Sequence, residues 1–321
     1  AIARLGDTPV FLDINTIDYN LNPEAVELFL EDNHSLNKKL GITSGEVKAI
    51  IPVHLYGQMA DMDRFTDLGK KYNVAVIEDA AQAIGSEYKG KRAGSIGDFG
   101  CFSFFPSKNL GGYGDGGMIT TNNSEMAERL KVLRLHGSKP KYHHSMVGVN
   151  SRLDALQAAI LNVKLQYLDE WSEARREKAM NYTRLFEENG LVGDYNLLVQ
   201  NLSSSNSAIE QFKNKVFLPQ ELWGDPEKDG RHIYHQYVIR TGARQEIMNA
   251  FEDHNIGYSV YYPVSLHEQE CFKYLGYEST DCPVSSNCSA TTLALPVYPE
   301  PTHEEQVFVV NTIKDVCLGQ S

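Results

Sequence analysis

The sequence predicts an α/β fold, with a mostly parallel sheet flanked by helices and a smaller C-terminal α/β domain. Three observations carry this reading. Short apolar runs recur at 47–55, Ala75-Val76-Ile77, Cys101–Phe105 and Met118–Thr121, each too short for a helix. A helical pattern over Asp61–Tyr72, with Met62, Phe65 and Leu68 on one face, separates the first two. Polar, chemistry-bearing residues stand just after two of the runs, Glu78-Asp79 after one and Lys108 after another, where parallel sheets collect ligands.

Taken in order, residues 8–14 also run apolar and read as a strand. Ser124–Leu135 reads as a helix capped by Asn123 or Ser124, with Gly137 beyond its end. Leu153, Leu156, Ile160, Val163, Tyr167 and Trp171 recur at three- and four-residue spacing and predict one long amphipathic helix. That helix links a large domain, residues 1–165, to the rest of the chain, 166–321. Leu197–Lys215 turns polar, with Ser203-Ser204-Ser205-Asn206-Ser207, and reads as a surface loop. Ile233–Arg240 and Tyr258–Tyr262 read as strands around a helix at Arg244–His254, and Glu304–Val316 as a final helix.

The 321 residues suffice for a large core, and 42% hydrophobic with 22% charged residues is ordinary for a globular protein. A net charge of −12 argues against nucleic acid and anionic membranes as partners. No apolar run reaches bilayer length. Cys101, Cys271, Cys282, Cys288 and Cys317 form no C-x-x-C pair; their odd count predicts reduced thiols and a cytoplasmic location. His54, His136, His143, His144 and His267 lie in no metal-ligand spacing, so no metal is expected. Gly112-x-Gly114-x-x-Gly117 fits the dinucleotide fingerprint formally, but a strand rather than a helix follows it.

The most informative stretch is Ser103-Phe104-Phe105-Pro106-Ser107-Lys108-Asn109-Leu110 before Gly111-Gly112-Tyr113-Gly114-Asp115-Gly116-Gly117. It sets one lysine at a glycine-rich turn after a short aromatic strand. With Asp79 and Ser103 it offers an amine, a carboxylate and a hydroxyl, a set that suits pyridoxal 5'-phosphate: a Schiff-base amine, a partner for the pyridinium nitrogen and a phosphate ligand. Each residue also has a plainer reading. Lys108 alone is a solvated loop lysine, Asp79 a helix N-cap, Ser103 a core hydroxyl bonded to backbone, and Gln82 a solvent-facing helix residue. In context the site reading is preferred for Lys108, with Phe104 and Phe105 as apolar walls.

These segments resemble the DegT/StrS family of sugar aminotransferases, of pyridoxal-phosphate fold type I. The match includes Ile51-Pro52-Val53-His54-Leu55-Tyr56-Gly57-Gln58, Glu78-Asp79-Ala80-Ala81-Gln82-Ala83, Phe102–Leu110, Gly148-Val149-Asn150-Ser151-Arg152-Leu153-Asp154, Tyr261–His267 and Leu293–Pro299. The resemblance implies that Lys108 binds the cofactor and moves protons, Asp79 pairs with the ring nitrogen and Gln82 bonds the ring hydroxyl. It makes Ser103 a phosphate ligand, and Asn150 a phosphate ligand reaching the site of a second subunit. Tyr262 and His267 become substrate contacts, with a surface histidine as the plainer reading of His267. The implied reaction moves an amino group from an amino acid, glutamate, to a keto nucleotide-sugar, with the ketone at C3 or, as the alternative, at C4. The implied assembly is a homodimer with shared sites. Ala1–Asp13 resembles an internal segment of the family, so the family's opening segment is expected to lie outside these residues. Two other classes remain: a dehydratase-like member, which would carry histidine where Lys108 stands, and a non-catalytic regulatory relative.

Overall fold

The computed structural model describes residues 1–202, 212–223 and 230–319. In chain order the elements are α1 (Pro23–Leu30), α2 (Ser35–Leu40), β1 (Ala49–Ile50), α3 (Met62–Tyr72), β2 (Ala75–Asp79), β3 (Glu87–Tyr88), β4 (Lys91–Arg92), β5 (Phe99–Ser103), β6 (Gly117–Thr120), α4 (Ser124–Leu133), α5 (Ala155–Leu165), α6 (Leu168–Glu188), α7 (Tyr195–Leu202), β7 (Val216–Phe217), β8 (Gly230–Arg231), β9 (Tyr237–Thr241), α8 (Arg244–Asp253), α9 (Pro283–Thr291), β10 (Thr292–Leu295) and α10 (His303–Leu318). The chain packs into two compact units. One, the sheet unit, comprises Lys48–Ala174 and Trp223–His235; the other, the terminal unit, comprises Ala1–Val47, Arg175–Leu222 and Gln236–Ser321. The change of unit falls inside α6.

The sheet unit holds a four-stranded sheet in the order β1-β2-β5-β6, with β1, β2 and β5 parallel and β6 antiparallel at the edge. Helix α3 makes the crossover from β1 to β2. Asp61 caps its start by accepting Arg64 N–H at 3.4 Å, and Asn73, at φ 54°, ends it. Its buried face is Met62, Phe65 and Leu68, the three positions the helical spacing selects. The register sets Asp79 opposite Cys101 and Ser103 opposite Gly117, so β2 and β5 end close to each other at their carboxyl ends. Phe104, Leu110, Leu161 and Leu168 form a core cluster beneath the loop that leaves β5.

Alternation along β2 sends Val76 and Glu78 to the buried side and leaves Asp79 half-buried on the other. The Glu78 carboxylate is fully buried. Its Oε1 accepts the N–H groups of Ile96 and Gly97, each at 2.7 Å, and its Oε2 accepts Gly94 N–H at 2.7 Å and His54 Nε2–H at 3.0 Å. Ala60 N–H donates to His54 Nδ1 at 3.2 Å, which leaves the imidazole proton on Nε2, facing the carboxylate. Gly94 has φ +76°, and a Cβ there would lie 2.4 Å from the Phe102 ring, so the loop around Glu78 admits only glycine at this point.

The terminal unit carries the antiparallel sheet β10-β9-β7 with α8, α9 and α10. Arg240 on β9 is fully buried; its Nη2 donates to Asn287 Oδ1 at 2.6 Å and its Nε to Thr291 Oγ1 at 3.4 Å. All five cysteines are free thiols. Among the described residues no helix is long and apolar enough to cross a membrane.

Several expected elements take other forms. Residues 8–14 form no strand. The hydroxyl of Tyr277 accepts Phe11 N–H at 2.9 Å and donates to Phe11 O at 3.0 Å, so a side chain meets the need a neighbouring strand would meet. The long helix at 153–171 is two helices, because Tyr167 N–H bonds Lys164 O three residues back and tightens the turn there. The strand expected at 233–240 starts only at Tyr237; before it, Tyr234 takes φ 44° and donates its N–H to His232 Nδ1. Tyr258–Tyr262 contributes one bridge, Ser259 to Ala294. The polar stretch 197–215 begins within α7, and its serine-rich residues 203–207 lie outside the described residues.

The Glu78 cluster sets a pH dependence of stability. Burial pushes its pKa up, but the hydrogen bonds from His54 and from the Gly97 and Gly94 amides outweigh it, and the net direction is below the ordinary 4.5. A depressed native pKa gives stabilisation that is complete above the unfolded value, near 4.5, and is withdrawn as pH falls through the lower native value. Glu78→Gln is expected to cost about 3 kcal/mol near neutral pH by breaking a buried hydrogen-bonded pair. It should also flatten the fall in melting temperature below pH 4.5. Melting curves from pH 3 to 7 check both, and a variant with the wild-type acid limb would refute the assignment.

Candidate active site

Asp79 closes β2. Its N–H donates to Pro52 O at 2.9 Å and its carbonyl accepts His54 N–H at 3.0 Å, so the backbone stays in the sheet to its last residue. Oδ1 accepts Ala81 N–H at 3.1 Å. The helix that would have made Asp79 an N-cap does not form; Ala80–Gly85 is a succession of turns. Oδ2 has no hydrogen-bond partner among the described residues.

Lys108 is half-buried in the loop after β5, and its N–H donates to Phe105 O at 2.9 Å. Its Nζ makes no ion pair or hydrogen bond among the described residues. Burial lowers the pKa of the amine, while the Asp79 carboxylate acts to raise it. The Asp79 carboxylate thus lies close enough to the amine to act on its charge. Of the two expected apolar walls, Phe104 is buried in the core cluster with Leu110 and Phe105 is half exposed.

The glycine-rich turn is held from behind by α5. Lys164 Nζ donates to Gly111 O at 2.5 Å, and Gln157 Oε1 accepts Tyr113 N–H at 2.7 Å. Gly112 N–H returns to Phe104 O at 2.8 Å. Neither Gln157 nor Lys164 stands out in the sequence, because each reads as an ordinary polar residue on an amphipathic helix.

Gln82 lies on the turn after β2 rather than on a helix. Its Oε1 accepts Tyr56 N–H at 2.7 Å. Ser103 is half-buried at the end of β5, and its Oγ accepts Phe105 N–H at 3.3 Å, a backbone bond that leaves the hydroxyl proton to donate. Asn150 is exposed, on an arm that leaves α4 and returns through bridges Leu135–Asn150 and Ser138–His144. Its Oδ1 accepts Arg152 Nε–H at 3.0 Å, and nothing among the described residues joins it to Asp79, Ser103 or Lys108. The arm also exposes Tyr142, Val147 and Val149.

Tyr262 and His267 belong to the terminal unit. Tyr262 is half exposed and packs edge-on against Tyr261. His267 is no surface histidine; it is buried, with Nε2 3.4 Å from Ser286 Oγ, and burial lowers its pKa against the pull of Glu268, Asp13 and Asp281. Sequence reasoning missed two further residues of the sheet unit. Asn109 is buried beside Lys108 and meets His235 at 2.8 Å.

The model of the DegT/DnrJ/EryC1/StrS aminotransferase family matches residues 1–314. The chain is 44% identical over 316 residues to a pleiotropic regulatory protein of Geobacillus stearothermophilus, spanning 98% of this chain and 74% of that one. It is 39% identical to a dTDP-3-amino-3,6-dideoxy-alpha-D-galactopyranose transaminase of Aneurinibacillus thermoaerophilus, again over 98% and 74%. The crystal structure of NtdA from Bacillus subtilis with bound cofactor PMP superposes with a TM-score of 0.76 at 29% identity, covering 99% of this chain and 64% of that one. The parallel sheet, the lysine-bearing turn and these matches along nearly the whole sequence lead to one conclusion: the chain belongs to the DegT/DnrJ/EryC1/StrS aminotransferase family.

Proposed function

We propose that the chain works with pyridoxal 5'-phosphate to transfer an amino group from an amino acid, glutamate, to a nucleotide-sugar bearing a ketone at C3. The observation that carries this is a half-buried lysine in the loop after β5, its amine pKa lowered by burial, within the electrostatic influence of the Asp79 carboxylate at the end of the neighbouring parallel strand β2. The donor set fits the cofactor: Asp79 Oδ2, without a hydrogen-bond partner among the described residues, would suit a cationic ring nitrogen, Ser103 has a hydroxyl proton for a phosphate oxygen, and Lys108 offers an unpaired amine. The named transaminase relative supports the 3-keto position, with a 4-keto sugar as the alternative.

When bound, the cofactor supplies an electron-withdrawing pyridinium ring that makes an adjacent C–H acidic. The residues do the rest. Lys108 takes the proton from the donor carbon and returns one to the neighbouring position. Its lowered pKa keeps a larger fraction of the amine neutral and ready to act as base. Asp79 would keep the ring nitrogen protonated, and Gln82, whose Oε1 accepts Tyr56 N–H, would hold the ring hydroxyl. Asn150 serves the site of a second copy, in keeping with its exposure and with the apolar residues beside it. The same arm, residues 134–152, carries Arg134, Lys139, Lys141 and Arg152 with no acidic residue of its own, in a chain of net charge −12; Lys139 is paired with Glu128 of α4 at 2.8 Å, which leaves the other three to act on a ligand. The arm gives a diphosphate a local attraction that the net charge does not. Tyr262 and His267 are proposed as sugar contacts, and the cytoplasm as the working compartment.

A regulatory role is the second reading, favoured by the name of the Geobacillus relative. Lys108 decides between them. Lys108→Ala is expected to lose at least about 1000-fold in turnover with keto nucleotide-sugars. It should also lose borohydride-trapped attachment of pyridoxal phosphate. Wild-type protein that traps no cofactor and aminates no sugar would favour the regulatory reading. Product regiochemistry, read by NMR, separates C3 from C4.

Asp79→Asn should fold normally yet slow proton removal about 100-fold or more, by the scale of one lost electrostatic partner. Unchanged single-turnover rates would reduce Asp79 to a turn-capping residue. For the shared site, Lys108→Ala protein is mixed with Asn150→Ala protein and subunits are allowed to exchange. Each mixed dimer then has one site with both lesions and one with neither, so activity should partly return. No return, after proven exchange between two severely impaired parents, would place Asn150 in its own subunit's structure.

A further inference from the structure

Asn109 is buried directly after Lys108. One side of its amide meets His235 Nδ1 at 2.8 Å; the other, Nδ2, is shut away from water with no hydrogen-bond partner among the described residues. Turning the amide over only exchanges which atom is left unmet. An unmet buried polar group costs about 1–3 kcal/mol, and a leucine of similar volume would avoid that cost. A residue there to fill space would not be an asparagine.

His235 comes 126 positions later and is itself held in place. Ile233 N–H donates to Gly57 O at 3.1 Å. Gly57 has φ +100°, and a Cβ on it would lie 2.9 Å from His235 N and 2.8 Å from the Ile233 side chain, so the two segments lie in direct contact. Tyr56, beside Gly57, donates to Gln82. One continuous set of contacts thus runs from Gln82 through Tyr56 and Gly57 to His235, Asn109 and Lys108. Downstream of Lys108 the loop is fixed by Lys164 at Gly111 and by Gly112 at Phe104. Leu110 packs that stretch into the core, and Asn109 is the point between lysine and turn where a side-chain hydrogen bond can fix the backbone direction.

We propose that His235 is a positioning residue for Lys108, acting through Asn109. The inference rests on the role given to Lys108 above. Held at Asn109, the backbone presents the lysine Cα–Cβ bond in one direction, and the amine reaches its target without first searching. Released, the amine loses effective concentration, and a misplacement of about 1 Å costs on the order of 100-fold.

The test uses the full chain freed of cofactor, mixed with pyridoxal phosphate, trapped with borohydride at timed intervals and mapped by mass spectrometry. His235→Phe keeps a ring and removes the hydrogen bond. It should slow attachment at Lys108 roughly 10- to 100-fold while leaving attachment at exposed lysines nearly unchanged and lowering the melting temperature by only a few degrees, the cost of the unmet Asn109 oxygen. His235→Asn places an amide N–H near the lost Nδ1–H and should restore most of the rate. Attachment at the wild-type rate in His235→Phe overturns the proposal, as does a His235→Asn protein as slow as His235→Phe. If His235→Phe does not fold, Asn109→Leu gives the same reading: slow attachment supports the tether and wild-type attachment overturns it. Wild-type protein that attaches no cofactor at Lys108 overturns the proposed function and the tether with it, whereas equal rates at Lys108 in wild type and variant overturn the tether alone.

Discussion

The Glu78 carboxylate is the constraint on which the sheet unit depends. It is one buried charge with four donors from three parts of the chain: His54 after β1, Gly94 and the Ile96–Gly97 pair before β5. An ion in that position is tolerable only while all its oxygens are met. The carboxylate therefore fixes where β1 ends, where β5 begins and how β2 lies between them. Because side chains alternate along a strand, fixing Glu78 on the buried face also fixes Asp79 on the other. The acid assigned to the cofactor is placed by the acid beside it, whose oxygens are taken up by protein donors.

The parts of the fold that read correctly from sequence are those governed by local pattern. The β2 and β5 runs, α3 with Met62, Phe65 and Leu68, and the lysine at the glycine turn all follow from short-range periodicity and turn chemistry. What escaped depends on partners distant in sequence. Residues 8–14 look like a strand, yet Tyr277, more than 260 positions away, takes their hydrogen bonds. Asn109 looks like loop filler until His235 arrives beside it. Glu78 was within reach of the sequence, since an acid one step before Asp79 in a strand must face the opposite side. His267 escaped for the opposite reason: its burial comes from packing that its sequence neighbours do not signal.

Charge is distributed to suit an anionic substrate without a basic protein. Acidic residues dominate the chain, but the arm after α4 has none over 134–152, and its lysines, arginines and histidines are exposed. Exposed charges act within about 10 Å at ordinary ionic strength, so a local run of one sign matters more to a diphosphate than the total. The same arm holds Val147 almost fully exposed, with Tyr142 and Val149 also open. Apolar and basic residues together on one projecting segment are a combination suited to a protein neighbour and a phosphate at once.

Strand β6 is where the described sheet stops. Among the described residues it is the outer strand, antiparallel to β5, and Met118 and Ile119 on it are each about half exposed. A strand edge flanked by apolar side chains is a template for adding another strand. A strand joining there, from the same polypeptide or from a second one, would take up the outward N–H and C=O groups of Gly117–Thr120 and cover both side chains together. A single lysine introduced at position 119 would raise the cost of that addition while leaving the β5–β6 backbone ladder intact.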